Sequence, residues 1–253
     1  MLIMERYEGS VEKMKTIVII QARMGSTRLP GKILMPLGEL DVLSYVTARC
    51  NKIKNISEVI VATSTLRQDD AVEKWCAENN VICFRGSEDD VLDRFVQCAK
   101  AYEPDYIMRV TSDCPFVDFE MASELVELME YERKDIVLID GQLPRGLAVE
   151  MISYEALLRI YKDELEERHR EHVTYYAYEF SDQFESVTYI APENRIAPEL
   201  RITLDTNADY VLCQAIAEQL NDIYVSSADV IKYLLENPEV AQLNAHIEQK
   251  PVM

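Results

Sequence analysis

The chain alternates short apolar runs with longer segments in which apolar residues recur every three or four positions. The first run, Thr16 to Ile20, is mostly β-branched and lacks polar alternation, which predicts a strand buried on both faces. Further runs begin at Glu58, Val81, Tyr106 and Asp135. A helical segment separates each run from the next, and this alternation predicts an α/β fold with a mostly parallel central sheet and helices on both faces.

Helical spacing between these strands predicts helices over residues 41–50, 69–79, 88–102 and 119–130. Beyond residue 140 the pattern is less regular. Helices are predicted at 153–161, with Ser153 as its N-cap, and at 168–180, 207–220 and 227–236. Strands are predicted at 186–190 and 201–204. Because no Gly/Ser-rich linker separates the two parts, we expect residues 14–253 to form a single α/β domain.

Three features of composition bear on the cellular setting. Residues 1–13 carry three glutamates and no apolar signal core, so we expect a flexible leader there. No stretch approaches about 18 apolar residues, which argues against a membrane span. The six cysteines lack C-x-x-C spacing, which indicates buried thiols in a reducing compartment. This favours a cytoplasmic protein.

The formal net charge of −19 makes one cationic loop stand out. Such a charge repels nucleic acid, and no strongly basic patch occurs elsewhere, so we expect no nucleic-acid partner. Arg23, Arg28 and Lys32, with Gly25 and Gly31 as hinges, follow the first strand. Ligands of open α/β sheets bind at the carboxyl ends of strands, and these cations suit phosphate oxygens. We interpret the loop as a polyphosphate site, with a merely solvated turn as the alternative.

The cationic loop does not match a Walker A loop. Five residues separate Gly25 from Gly31 instead of four, and Ile33 stands where that motif has its Ser/Thr metal ligand.

Two carboxylates fall at the ends of predicted strands. Asp113 follows the strand that begins at Tyr106, and Asp205 follows the predicted strand 201–204. Two carboxylates opposite a cationic loop suit a Mg²⁺–nucleotide site, because Mg²⁺ prefers hard oxygen ligands. The alternatives are a turn-forming role for Asp113 and a helix N-cap role for Asp205.

Other polar clusters lie between apolar segments. Arg85 and Gly86 follow the third strand, where Gly86 permits close backbone approach to a ligand. Asp90 and Arg94 have the spacing of an ordinary surface pair, an equally good interpretation. The remaining clusters contain Arg145, Glu150, Arg170 and His172. His169 and His172 lack a third ligand that would complete a zinc site.

The segment from Gln21 to Lys32, QARMGSTRLPGK, resembles the signature loop of the CMP-sugar synthetases, the cytidylyltransferases that activate Kdo and other acidic sugars. It is most similar to their spore coat polysaccharide biosynthesis (SpsF-like) branch. The resemblance continues through FRGSEDDVLDR at 84–94, RVTSDCP at 109–115, PRGL at 144–147, REHVT at 170–174 and LDT at 204–206.

The resemblance implies a nucleotide-diphospho-sugar transferase fold, CTP and a sugar as substrates, Mg²⁺ as cofactor and a homodimer. It implies catalytic roles for Arg23, Lys32 and Asp113. It implies nucleotide binding by Ala62, Thr63, Arg23, Gly25, Arg28, Lys32 and Arg85, and metal binding by Asp113 and Asp205. It also implies sugar binding by Arg145, Glu150, Arg170 and His172, within acceptor-binding elements at about 140–200.

The chain departs from the branch at three positions. Ala148 stands where the branch usually has Asp, Ser112 where it has Gly, and Asn207 where it often has Pro. Two other functions therefore stay open at this point. One is a glycosyltransferase that uses a preformed nucleotide sugar, although Asp113-Cys-Pro lacks the Asp-x-Asp motif common there. The other is a catalytically silent nucleotide-binding regulator.

Overall fold

The computed structural model describes residues 13–163 and 166–248. Its strands are β1 Thr16–Gln21, β2 Pro36–Leu37, β3 Leu40–Asp41, β4 Glu58–Ser64, β5 Ile82–Gly86, β6 Tyr106–Thr111, β7 Ile136–Asp140, β8 Glu150–Ser153 and β9 Ser186–Ile190. Its helices are α1 Val42–Cys50, α2 Asp70–Glu78, α3 Val91–Tyr102, α4 Phe119–Glu132, α5 Tyr154–Lys162, α6 Glu167–Glu171, α7 Tyr175–Glu179, α8 Asn207–Leu220, α9 Ser227–Glu236 and α10 Pro238–Ala241.

The main sheet has the strand order β5-β4-β1-β6-β8-β7-β9. All neighbouring strands are parallel except β8, which runs antiparallel to both β6 and β7. β1 lies between β4 and β6, and its last residue, Gln21, is in register with Ala62 and Thr111. The loops that follow these three strands therefore begin at one edge of the sheet, as expected for a mostly parallel α/β fold.

The sheet separates two apolar layers, and β1 contributes to both. Val18 and Ile20 pack with α1, α2 and α4 on one face, while Ile17 and Ile19 pack with α3 and α5 on the other. All four side chains are fully buried, which confirms the expected double-sided burial of the first strand. A third apolar cluster joins the β2–β3 hairpin to α8 and α9 beside the loop ends.

Helix starts follow the predicted capping chemistry. The side chains of Asp41, Asp90, Asp118, Ser153, Thr206 and Ser226 each accept a hydrogen bond from a backbone N–H of the first turn. A short oxygen-bearing side chain at this position satisfies donors that have no partner within the helix. The predicted N-cap at Ser153 is confirmed.

Two predictions in the second half are wrong. The helix predicted over 168–180 is divided into α6 and α7, because Val173 between them adopts a φ of 23°, which a helix cannot continue. The predicted strand 201–204 is not a strand. Ile202 N–H donates to the Arg145 carbonyl and Leu204 N–H to the Asp113 carbonyl, so the segment pairs with two loops and forms only an isolated bridge at Arg201.

The pattern analysis also missed β8, a four-residue antiparallel strand. The predicted leader, apart from Lys13, lies outside the described residues, and the single-domain organisation stays a prediction. Within the part of the chain that the structure describes, no helix has the length and apolar character needed to cross a bilayer.

Candidate active site

The loop after β1 is fastened to its neighbours at both ends. Ala22 N–H donates to the Ala62 carbonyl at 3.1 Å, and Met24 N–H donates to Asp69 Oδ1 at 2.7 Å. Gly31 N–H returns to the Met24 carbonyl at 3.1 Å, and Gly31 has a φ of 71°, a conformation that favours glycine. This closure directs the next residue, Lys32, back toward the ends of the strands.

Lys32 connects the loop to two distant carboxylates. Its Nζ lies 2.8 Å from Asp113 Oδ2 and 2.8 Å from Asp205 Oδ1, although these residues are 81 and 173 positions away in the chain. Burial lowers the pKa of the Lys32 ammonium, but the two carboxylates outweigh burial and hold that pKa above its ordinary value. Lys32 is therefore charged in the folded protein at neutral pH.

Asp113 is held at the site by its own backbone. Its carbonyl accepts hydrogen bonds from Leu204 N–H at 2.7 Å and from Thr203 Oγ1 at 3.2 Å, so the end of β6 is joined to the segment that carries Asp205. Burial raises the pKa of the Asp113 carboxyl, and Lys32 more than offsets this, so the pKa lies below its ordinary value. A backbone hydrogen bond from Cys114 to Thr111 also forms a turn there.

Asp205 accepts ion pairs from three cations. Besides Lys32, Arg28 Nη2 lies 2.9 Å from Oδ1, and Arg201 Nη2 lies 2.8 Å from Oδ2. The alternative that Asp205 caps the following helix is wrong, because Thr206 is the N-cap of α8. The Asp205 carboxylate is therefore free of helix capping and faces the cationic loop.

Arg201 is fixed from behind by a fully buried carboxylate. Its Nε donates to Asp209 Oδ1 at 2.9 Å, and Asn244 Nδ2 donates to the same oxygen at 2.7 Å. Asp209 also accepts the backbone N–H groups of Asp205 and Thr206. Asp209 thus links the start of α8 to the position of Asp205.

Arg23 and Arg85 make their ion pairs away from this pair of carboxylates. Arg23 Nη1 lies 3.2 Å from Glu88, and Nη2 lies 4.0 Å from Glu171 of α6. Arg85 lies 2.8 Å from Asp70 and 2.7 Å from Glu73, and it donates to the Ser64 and Leu66 carbonyls. Arg85 therefore fastens β5 to the start of α2.

The ends of β4 and β5 enclose polar atoms that have no partner among the described residues. The atoms without a hydrogen-bond partner are Thr63 Oγ1, Glu88 Oε2 and all three guanidinium nitrogens of Arg94. The alternative that Asp90 and Arg94 form a surface pair is wrong, because Arg94 is fully buried and Asp90 caps α3 and pairs with Arg170 at 3.0 Å. Burial lowers the pKa of Arg94, and nearby Glu88 acts in the opposite direction.

Gly86 is needed where the chain passes Arg94. A Cβ at this position would lie 2.9 Å from Arg94 Cγ and 3.2 Å from a ring carbon of Phe84. The close approach seen at Gly86 is to the chain's own side chains, and the approach to a ligand expected from the sequence stays a prediction.

A second polar cluster surrounds Glu150 of β8. Arg109 Nη1 donates to Glu150 Oε2 at 2.6 Å, and the Thr174 hydroxyl donates to the same oxygen. Burial lowers the pKa of Arg109, but Glu150 outweighs it, so the net shift is upward.

His172 and Arg145 belong to the same polar region. Burial holds the pKa of His172 below its ordinary value, with smaller effects from Glu171, Arg109, Glu150 and Arg145. His172 is therefore neutral at pH 7, and its ring can accept a hydrogen bond or a proton. Burial also lowers the pKa of Arg145, and Arg201 lowers it further. Arg170, by contrast, is held by Asp90, the N-cap of α3.

Four residues of the candidate site were not predicted from the sequence. Arg201 contacts Asp205, Arg109 and Thr174 contact Glu150, and Arg94 lies buried at the ends of β4 and β5. Arg109 gave a usable signal, because an arginine inside the otherwise apolar run of β6 must find a buried partner. Arg201 gave a second usable signal, since two carboxylates, Asp205 and Asp209, follow it closely in the sequence. Thr174 and Arg94 gave none, because their environments depend on how α6 and β5 pack.

The two carboxylates fit the requirements of Mg²⁺ that arrives with phosphates. Mg²⁺ is commonly bound through one or two carboxylates, with waters and substrate phosphates filling the remaining positions. One ammonium reaches both Asp113 and Asp205, so oxygens of both lie around a single cation-sized position. Among residues 13–163 and 166–248 there is no group of three or more His, Cys, Asp or Glu side chains that could hold a metal by themselves.

The chain has the nucleotide-diphospho-sugar transferase fold, a mostly parallel sheet with helices on both faces. The candidate site lies at the ends of the strands. A family model described as cytidylyltransferase matches residues 17–248. The chain therefore belongs to the cytidylyltransferase family, and the resemblance noted in its sequence is confirmed.

Individual proteins support the same assignment. The spore coat polysaccharide biosynthesis protein SpsF of Bacillus subtilis is 36% identical over 231 residues, which cover 89% of this chain and 96% of SpsF. An uncharacterized protein of Methanocaldococcus jannaschii is 37% identical over 238 residues, covering 94% of this chain and 97% of that one. The structure of a cytidylyltransferase from Leptospira borgpetersenii is 31% identical, with a TM-score of 0.85 and coverage of 95% of this chain and 100% of that one.

Proposed function

We propose that the protein transfers CMP from CTP to a hydroxyl group of an acidic sugar, giving a CMP-sugar and pyrophosphate for surface polysaccharide or glycan synthesis. The sugar hydroxyl gives up its proton to solvent as its oxygen attacks the α-phosphorus, the bond from that phosphorus to the α–β bridging oxygen breaks, and pyrophosphate leaves. The observation that carries this proposal is the junction of Lys32, Asp113 and Asp205 beside the Arg28 guanidinium. Membership of the cytidylyltransferase family supports CTP as the nucleotide.

The positive side chains of the loop suit the triphosphate. Arg28 is about one-third exposed and can turn from Asp205 to phosphate oxygens, and Lys32 can follow on its flexible stem. Arg23 would contribute from the side of Glu88. Attack at phosphorus needs positioning and charge neutralisation more than covalent chemistry, and these cations would supply both.

Asp113 and Asp205 would hold Mg²⁺ in this proposal. Bound there with the triphosphate, Mg²⁺ would neutralise part of the charge that develops on the phosphate oxygens. The nucleoside would lie toward Gly25, Ala62 and Thr63, with Arg85 fixing the wall formed by β5 and α2.

The acceptor would lie toward Glu150 and His172. Arg109 and Thr174 both bind one oxygen of Glu150, so that carboxylate is oriented before substrate arrives. Arg145 acts electrostatically on His172, and Arg170 pairs with Asp90. In this proposal both would supply positive charge to a sugar that carries a carboxylate. Ala148 leaves Glu150 as the acidic group at this end of β8.

The proposal is tested by measuring pyrophosphate release with Mg²⁺, CTP and a panel of acidic and neutral sugars. We expect release only when CTP and an acidic sugar are both present, with a CMP-sugar detected by mass spectrometry. A glycosyltransferase would instead release a nucleoside diphosphate from a preformed nucleotide sugar. A silent regulator would bind CTP with no turnover in any mixture.

We expect the Arg28→Ala variant to bind CTP about tenfold more weakly, because one charge-assisted contact to phosphate is lost. Calorimetric titration with CTP measures the change. Lys74→Ala is the matched control, since Lys74 is an exposed cation of α2 that pairs with Glu78 of the same helix. Unchanged CTP affinity in Arg28→Ala would contradict a triphosphate site at this loop.

The homodimer and the cytoplasmic location expected from the sequence stay predictions. One proposed contact is α7 with Tyr175, Tyr176 and Tyr178. Light scattering during size-exclusion chromatography gives the mass directly, to be compared with 29.1 kDa for one chain.

A further inference from the structure

The carboxylates that would bind the metal are already occupied by side-chain cations. Lys32 Nζ lies 2.8 Å from both Asp113 and Asp205, and it is the group placed between them. Asp205 is also paired with Arg28 at 2.9 Å and with Arg201 at 2.8 Å. A metal ion that entered now would have to displace an ammonium group from its position.

The carboxylates around this position already have cationic partners before any ligand arrives. Lys32, Arg28 and Arg201 pair with Asp113, Asp205 and the buried Asp209, and Arg145 lies within electrostatic range of Asp113 and Asp205. A divalent ion entering alone would add two positive charges in contact range of these cations, in a partly buried site where repulsion is poorly screened. Entry together with a triphosphate would instead give the displaced cations new negative partners.

The three cations differ in their freedom to leave. Arg201 is held by Asp209 at 2.9 Å, and Asn244 donates to both Asp209 and the Arg201 carbonyl. Among the residues that the structure describes, Lys32 has only Asp113 and Asp205 as side-chain partners, and its unbranched stem can swing. Arg28, about one-third exposed, can also turn toward phosphates, but it pairs with Asp205 and not with Asp113. Lys32 is therefore the exchangeable cation that lies between the two carboxylates.

We propose that Lys32 is a tethered counter-ion that closes the metal site until the nucleotide triphosphate arrives. Its ammonium substitutes for the divalent ion between Asp113 and Asp205, and it transfers to phosphate oxygens when the metal–nucleotide complex binds. Metal and nucleotide binding are then coupled, and the coupling is reciprocal. This inference rests on the proposed function for the identity of the nucleotide.

The test measures Mn²⁺ binding without nucleotide, by electron paramagnetic resonance of the free ion, in the wild-type protein and in Lys32→Met. We expect Lys32→Met to bind Mn²⁺ at least tenfold more tightly than the wild type. Lys100→Met, which removes an exposed cation of α3, should bind like the wild type. Adding Asp113→Asn to Lys32→Met should remove the gained affinity, because the ion then loses a ligand.

Equal or weaker Mn²⁺ binding by Lys32→Met would overturn the proposal, as would a gain that survives Asp113→Asn. Lys32→Gln, which keeps a polar group of similar length, serves if the methionine variant folds poorly. The midpoint of thermal unfolding gives a second measurement, since Mn²⁺ should raise it more in the variant than in the wild type. If the wild type releases pyrophosphate but Lys32→Met shows no gain in Mn²⁺ affinity, the counter-ion role alone is rejected. If Lys32→Met gains Mn²⁺ affinity but the wild type releases no pyrophosphate, the proposed reaction alone is rejected.

Discussion

The Asp113→Asn variant is expected to release pyrophosphate at least about 100-fold more slowly than the wild type, with a much smaller loss of CTP affinity through the weakened coupling to the metal. Asparagine keeps the shape of the side chain and can still accept a hydrogen bond from Lys32, so the loop should stay in place. The negative charge proposed to hold Mg²⁺ is lost, however, and that charge matters most when the α-phosphorus is attacked. Steady-state rates at saturating CTP and sugar, with CTP titration alongside, separate turnover from binding.

Asp140→Asn provides the matched control for this variant. Asp140 is an exposed carboxylate at the carboxyl end of β7, in the same sheet as Asp113 but outside the site. We expect its turnover to equal that of the wild type. A normal rate for Asp113→Asn, or an equal loss in Asp140→Asn, would contradict a specific role of Asp113 in the reaction.

The first half of the fold could be predicted because its signals are local. The run Thr16 to Ile20 has no polar alternation, and a strand buried on both faces requires this pattern. The helices between the early strands begin at residues with capping side chains, such as Asp41 and Asp90. In these segments local preference and tertiary packing favour the same structure.

The second half was harder because packing overrides local pattern there. The apolar run at 201–204 looks like a strand, yet its N–H groups reach two loops and its side chains enter the cluster around α8 and α9. β8 is only four residues long and is antiparallel in an otherwise parallel sheet. A segment that short carries too few alternations to be recognised by periodicity.

In the candidate site, too, local sequence signals were informative and tertiary partners were not. Residue type and expected position at strand ends predicted that Lys32, Asp113 and Asp205 share one site, and their side chains are in direct contact. Their partners could not be predicted, because the pairing of Arg201 with Asp209 and of Arg109 with Glu150 depends on tertiary packing. The burial of Arg94 is a further example, since its spacing from Asp90 indicated an exposed pair.

The Asp209→Asn variant is expected to lower the free energy of unfolding at pH 7 by about 3 kcal/mol, because removal of one charge from a buried ion pair leaves the other poorly compensated. Asp209 is fully buried and accepts hydrogen bonds from Arg201, from Asn244 and from the backbone N–H groups of Asp205 and Thr206, which immediately precede α8. Urea unfolding followed by circular dichroism measures the change. Asp229→Asn is the matched control: Asp229 has the same third position in α9, after the cap Ser226, but is exposed. It should cost less than about 1 kcal/mol.

The stability difference between the wild type and Asp209→Asn should also depend on pH. Burial raises the pKa of the Asp209 carboxyl, but hydrogen bonds from Arg201 and Asn244 outweigh burial and hold that pKa below its ordinary value of 3.8. A carboxyl with a lowered folded-state pKa contributes stability that is present above the unfolded-state pKa and is lost as pH falls through the folded-state pKa. The difference should therefore be constant from pH 5 to 7 and shrink below about pH 4. A difference that is unchanged at pH 3 would mean that the charge of Asp209 does not support the fold, and that its link through Arg201 to Asp205 is steric.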